Sequence, residues 1–198
     1  MGRASLSVIV LAALISTNAE SLAGLAGDVR ARVNLERTQT AAAAGDANAI
    51  GNLAERYWRG DGVDRDRSKA VELYRKAADL GNDDAMLQLG FLHENGKDVP
   101  QSDEQAVSWF RKAVDSGNES AMFHLGVMYW SGRGVTQDLV EAYKWLDLAS
   151  ARATGESAVQ NASARDSLTR VLSAAQVSEA RRRAQEWQAA YDLRRNKA

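Results

Sequence analysis

His93 and His124 are the only imidazoles in the 198-residue chain, and cysteine is absent. A general base or a metal centre on either histidine needs carboxylates, a nucleophile or further ligands converging on it. The spacing supplies none. The histidines stand 31 residues apart, and the acidic pairs Asp83–Asp84 and Asp103–Glu104 fall at expected helix starts, where the helix dipole favours carboxylates. Without cysteine there is no thiolate ligand, no cysteine nucleophile and no disulfide framework. The glycine-rich stretch LGVMYWSGRGV, residues 125–135, raises phosphate binding instead, since bare backbone N–H groups at a helix start can hold an anion. A dinucleotide fingerprint would place a third glycine at 137, where Gln137 stands, and a P-loop needs Gly-Lys-Ser/Thr, which does not occur. A sharp corner using φ > 0 at Gly132 and Gly134 explains the same composition.

The elements around that corner recur. GDANAIGNLAERYWRGDGV begins at Gly45, GNDDAMLQLGFLHENGKDV at Gly81 and GNESAMFHLGVMYWSGRGV at Gly117. Ala49, Leu53 and Tyr57 of the first unit lie at i, i+4 and i+8, one helical face, over about Asp46 to Arg59. After the glycines, Asp66 or Asp138 offers an N-cap to a second helix. There Ala70, Leu73, Tyr74 and Ala77 again share a face. A fixed period of this size signals a stacked solenoid.

G-x-x-x-A-x-x-x-L-G-x-x-Y-x-x-G-x-G-V, then D-x-x-x-A-x-x-W-x-x-x-A, resembles the Sel-1-like repeat, a relative of the tetratricopeptide repeat. Residues 117–149 match almost completely. In the other units Ala54 replaces a glycine, His93 the tyrosine and Asp98 the second glycine, departures expected to loosen local packing. The expected fold is an all-α, right-handed α-solenoid of three 36-residue helix-turn-helix repeats, 45–80, 81–116 and 117–152, with helical caps at both ends. An N-terminal capping helix falls within 20–44, over about 28–44. C-terminal capping helices fall within 153–198, over 157–172 and 174–193. Ser173 with Gln176 forms a capping box for the last, whose apolar face is Leu172, Val177, Ala180, Ala184 and Trp187. Family members often end in a similar arginine-rich helix closing on Glu-Trp, as residues 181–187 do here.

Arg3, the apolar run Leu6–Ile15 and the exit Thr17-x-Ala19 form the pattern of a secretory signal peptide over residues 1–19. Cleavage is expected after Ala19, or alternatively Ala23; a buried N-terminal helix is the competing interpretation. The run is too short to span a membrane, so a periplasmic or secreted protein without a span after leader removal is expected. Residues 20–150 carry 15 basic against 21 acidic side chains, −6, which argues against nucleic acid as the partner. Residues 151–198 carry nine against five, +4, explained by a solvated helix face.

In two-helix solenoids the first helices line a concave binding surface. Partner-contact candidates there, off the packed face, are Asn52, Glu55, Trp58, Arg59, Gln88, Phe91, Glu94, His124, Val127 and Trp130. Trp58 and Trp130 hold one slot two repeats apart. Tryptophan there is either a contact anchor or a ring covering the corner glycines. His93 in the tyrosine slot is expected to pack, and His124, level with Asn52 and Gln88, to lie in a polar exposed slot. No catalytic, cofactor or metal residues are expected. The resemblance implies a non-catalytic adaptor or regulator of the cell envelope that grips a peptide or protein partner. Two alternatives are a cell-envelope hydrolase and a cytosolic scaffold. Relatives reported to act on β-lactams or peptidoglycan are cysteine-rich, unlike this chain.

Overall fold

The computed structural model describes residues 30–197, so the expected leader and the start of the N-terminal cap lie outside the described residues. A first helix, α1, covers 30–43. Three hairpins follow: α2 (Ala47–Arg59) with α3 (Arg67–Asp79), α4 (Asp83–Asn95) with α5 (Asp103–Asp115), and α6 (Glu119–Ser131) with α7 (Leu139–Arg152). Two further helices, α8 (Gly155–Leu168) and α9 (Ala174–Arg195), both pack on α7. Within a hairpin the partners pack most extensively; α3 against α4 and α5 against α6 join one hairpin to the next. This is the nearest-neighbour packing of an all-α solenoid. Buried alanines at 49, 70, 77, 85, 106, 113, 121, 142 and 149 let the helices approach closely.

Capping fixes where each helix begins. Asp46, Asn82 and Asn118 accept the N–H of Ala49, Ala85 and Ala121 at 2.8, 2.7 and 2.9 Å. Each such cap contributes about 1 kcal/mol. Asn82 and Asn118 are buried and reach one repeat back. Asn82 Nδ2 donates to Asn48 Oδ1 at 2.7 Å, and Asn118 Nδ2 to Asp83 Oδ2 and Asp84 Oδ1 at 3.1 and 3.2 Å. The second helices use Asp66, Ser102 and Asp138. The first helices end on Gly60, Gly96 and Gly132 in the left-handed region, φ +79°, +65° and +73°. The glycine-rich stretch is therefore a helix corner.

Each departure from the motif has its own local setting. Ala54 is fully buried. Asp98 takes φ +62°, a conformation short polar side chains tolerate, and its Oδ2 pairs with Arg67 Nη1 at 3.2 Å. His93 Nδ1 meets the Pro100 carbonyl at 3.1 Å.

The last helix opens on the expected capping box of Ser173 and Gln176. Trp187 meets Trp145 edge-on at 5.4 Å and stacks on Tyr191 at 5.2 Å, while the Arg152 guanidinium lies over both rings. The basic side chains are not simply a solvated face. Arg183 Nη1 donates to Glu141 on α7 at 2.9 Å, and Arg181 Nη2 to the buried Tyr143 hydroxyl at 3.2 Å. Arg182 and then Arg183 hold the Glu179 carboxyl down to about 2. Among the described residues no helix is long and apolar enough to cross a membrane.

Candidate functional site

The first helices α2, α4 and α6 repeat three rows of side chains at the 36-residue period: 48/84/120, 52/88/124 and 55/91/127. Residues 48, 52 and 55 lie at i, i+4 and i+7, so they share one helical face. Between α2 and α4 they line a polar cavity of about 460 Å³ with Asp84 and Gln88, floored by Asn82. Gly51 makes room for that floor, since a Cβ there would lie 3.1 Å from Asn82 Oδ1. Tyr74 rises from α3 and donates its hydroxyl to Glu55, which also pairs with Arg59. Burial, then the bond to Glu55, pushes the Tyr74 phenol above its ordinary range.

One repeat on, the same slots have changed character. Glu55 and Tyr74 are replaced by Phe91 and Phe110, so His124 sits against aromatic walls. Its ring centroid lies 4.6 Å from Phe91, 5.5 Å from Phe110 and 5.4 Å from Phe123. His124 is half-buried, not the exposed polar residue its slot suggested. The environment of a slot is set by the preceding repeat, which a one-repeat alignment does not display. A second cavity, about 340 Å³, opens beside His124 between α6 and α8. Among the described residues no three of His, Cys, Asp and Glu are grouped to hold a metal.

A family model for the Sel1 repeat matches residues 47–82, 83–118 and 119–153, together more than half of the chain. The chain belongs to the Sel1 repeat family. Sel1 repeat proteins are generally protein-interaction scaffolds, and their fold is typically non-catalytic. A Sel1 repeat protein from Oxalobacter formigenes is similar over 66% of this chain and 98% of its own, with 29% identity and a TM-score of 0.61. A protective antigen present in uropathogenic Escherichia coli strains, displaying an SLR fold, is similar over 79% of this chain and 41% of its own, at 28% identity and TM-score 0.60. No curated protein matches by sequence.

Within this Sel1 stack the ten candidate residues do not share one groove. Asn52, Glu55 and Gln88 come together in the first cavity. His124 lines the second, with Phe91 edge-on to its ring. Arg59 is committed to Glu55 and Glu94 to Arg133 Nη1 at 3.0 Å; Val127 is half-buried. Trp58 packs partly buried against the core beneath the Arg67 guanidinium, 4.8 Å from its centroid. Trp130 is 36% exposed and offers its carbonyl to Gln137 Nε2 at 2.7 Å. Neither tryptophan lines either cavity. Asn48, Tyr74, Asn82 and Asp84 were missed as lining residues. The i, i+4 pair Asn48–Asn52 was the available signal.

His124 also gives a pH test. Burial lowers its pKa from 6.5, opposed by nearby Glu94. The unfolded chain therefore takes up the proton first, and stability present above about pH 6.5 is lost as pH falls below that value. Urea unfolding at pH 7.5 and 5.0 should show a smaller pH-dependent loss for His124→Gln than for the parent chain. An identical loss in both would mean His124 titrates freely.

Proposed function

We propose that this Sel1 protein is an exported, non-catalytic adaptor or regulator of the cell envelope. It holds an extended segment of a protein partner along the α2, α4 and α6 face. The supporting observation is the polar cavity where Asn48, Asn52 and Gln88 converge beside Glu55. A side-chain amide offers both donor and acceptor, so such a row can satisfy the alternating N–H and C=O groups of an extended backbone. Export rests on the leader pattern at Arg3 and Leu6–Ile15, with the mature chain beginning near Glu20.

Peptide display against the purified protein tests the binding role. Selected peptides should lose affinity by about tenfold or more on Asn52→Ala with Gln88→Ala, the worth of two hydrogen bonds. Helical content by circular dichroism should stay unchanged, since Asn52 is exposed and Gln88 only partly buried. Equal affinity for the double variant would move the binding surface elsewhere.

A further inference from the structure

We propose that the cavity between α6 and α8 is a pocket for a cationic side chain, the ammonium of a lysine or the guanidinium of an arginine. The source of that side chain rests on the reading above, in which this face takes a partner segment. Glu119, Ser120, Phe123 and His124 line it from α6, and Gln160 and Asn161 from α8. Its volume of about 340 Å³ suits one long side chain.

The two side-chain amides turn free oxygens to this pocket, and the Ser120 and Ser157 hydroxyls beside them can accept as well as donate. Asn161 is 8% exposed, and its Nδ2 donates to the Ala149 carbonyl at 3.2 Å. That bond fixes the amide and leaves Oδ1 uncommitted. Gln160 repeats the arrangement, with Nε2 donating to Glu156 Oε1 at 3.3 Å and Oε1 left over. Among the described residues lining the pocket, Glu119 alone carries a formal charge, and no lysine or arginine lines it.

His124 contributes as a neutral ring. No group among the described residues hydrogen-bonds either of its nitrogens, and a neutral imidazole presents one of them as an acceptor. The charged groups near it are Glu94 on α4 and Glu119 on its own helix; Glu94 is already engaged by Arg133. The Phe123 ring adds a face that attracts cations. An anion would meet Glu119 and two amide oxygens, whereas a cation meets the same groups favourably.

Imidazole NMR of the full chain tests the sign of the ligand charge. The probes are acetyl-Gly-Lys-Gly-amide and acetyl-Gly-Arg-Gly-amide at millimolar concentration, with acetyl-Gly-Glu-Gly-amide as counter-probe. A cationic peptide should shift the His124 ring resonances saturably. It should also lower the His124 pKa further, because a bound cation opposes the imidazolium. Glu119→Gln should weaken this binding by roughly two- to fivefold, the span of an exposed ion pair. The glutamate peptide should leave His124 unmoved. If neither cationic peptide perturbs His124, or the glutamate peptide binds and raises its pKa, the proposal falls. Cationic peptides that bind while display against the α2/α4 cavity fails would keep the pocket and remove the partner reading. The reverse result would keep the partner reading and remove the pocket.

Discussion

Gly134→Ala should destabilise the protein by about 3 kcal/mol or more in urea unfolding. Two costs combine. Gly134 sits at φ +65°, where an L side chain costs about 1–2 kcal/mol. A Cβ there would also run into the Asp103 carbonyl and lie 2.8 Å from the Glu104 nitrogen. Both belong to the backbone of the first turn of α5, so no rotamer change relieves the overlap. The corner of the third repeat would have to lift off the second, and Arg133 would lose register with Asp103 and Glu94, which it bonds at 2.7 and 3.0 Å. Gly132→Ala is the control. Its φ of +73° is as unfavourable, but the added Cβ would lie 3.2 Å from the Gln137 Cβ, a tight contact that a shift of a few tenths of an ångström relieves, so about 1 kcal/mol is expected. Equal losses at the two positions would show that backbone conformation alone decides. Nucleotide binding by the parent chain, abolished without loss of stability, would restore the phosphate-loop reading.

Gly90→Ala should cost about 1–2 kcal/mol, although alanine in mid-helix is ordinarily worth up to about 1 kcal/mol over glycine. The new methyl would meet the Phe110 ring, 2.6 Å from its Cδ1. Phe110 is fully buried between Phe91 and His124, and overpacking of this kind costs about 1–3 kcal/mol. Phe110→Leu in the same chain should lower the added penalty of the alanine, giving a double-mutant coupling of opposite sign to the single effects. A stabilised Gly90→Ala variant would mean the ring moves freely. Ala54 occupies the equivalent slot, fully buried, where Tyr74 is tethered to Glu55.

The helices, their caps and the corners follow from local patterns: Ala49-Leu53-Tyr57 spacing, Asp66 and Asp138, the paired glycines, and Ser173 with Gln176. Each depends on residues within a few positions of one another, which a single sequence displays. What was not legible crosses between repeats. His124 looks exposed beside Asn52 and Gln88 in an alignment, yet its walls come from Phe91 and Phe110. Asn82 and Asn118 resemble ordinary caps, and their second bonds reach back 34 to 35 residues. Arg183 looks like surface charge and binds Glu141. The 36-residue period predicted that repeats stack, but not which side chains of neighbouring repeats meet. The last four residues before Ser173 escaped the helix expected over 157–172. The Thr169 hydroxyl donates to the Asp166 carbonyl at 2.7 Å, and the chain turns there.

Because each slot borrows its walls from the repeat before it, the three units are not interchangeable building blocks. A tandem duplication of the second unit would seat the new copy's Gln88 against phenylalanine walls instead of Glu55 and Tyr74, stranding a polar amide in an apolar box. Exchanging the second and third units would place His124 between Glu55 and Tyr74, where a carboxylate would favour its proton. Order along the stack therefore carries chemical information that composition of the units does not, and any lengthening of this array by copying would have to be followed by substitution at the seams.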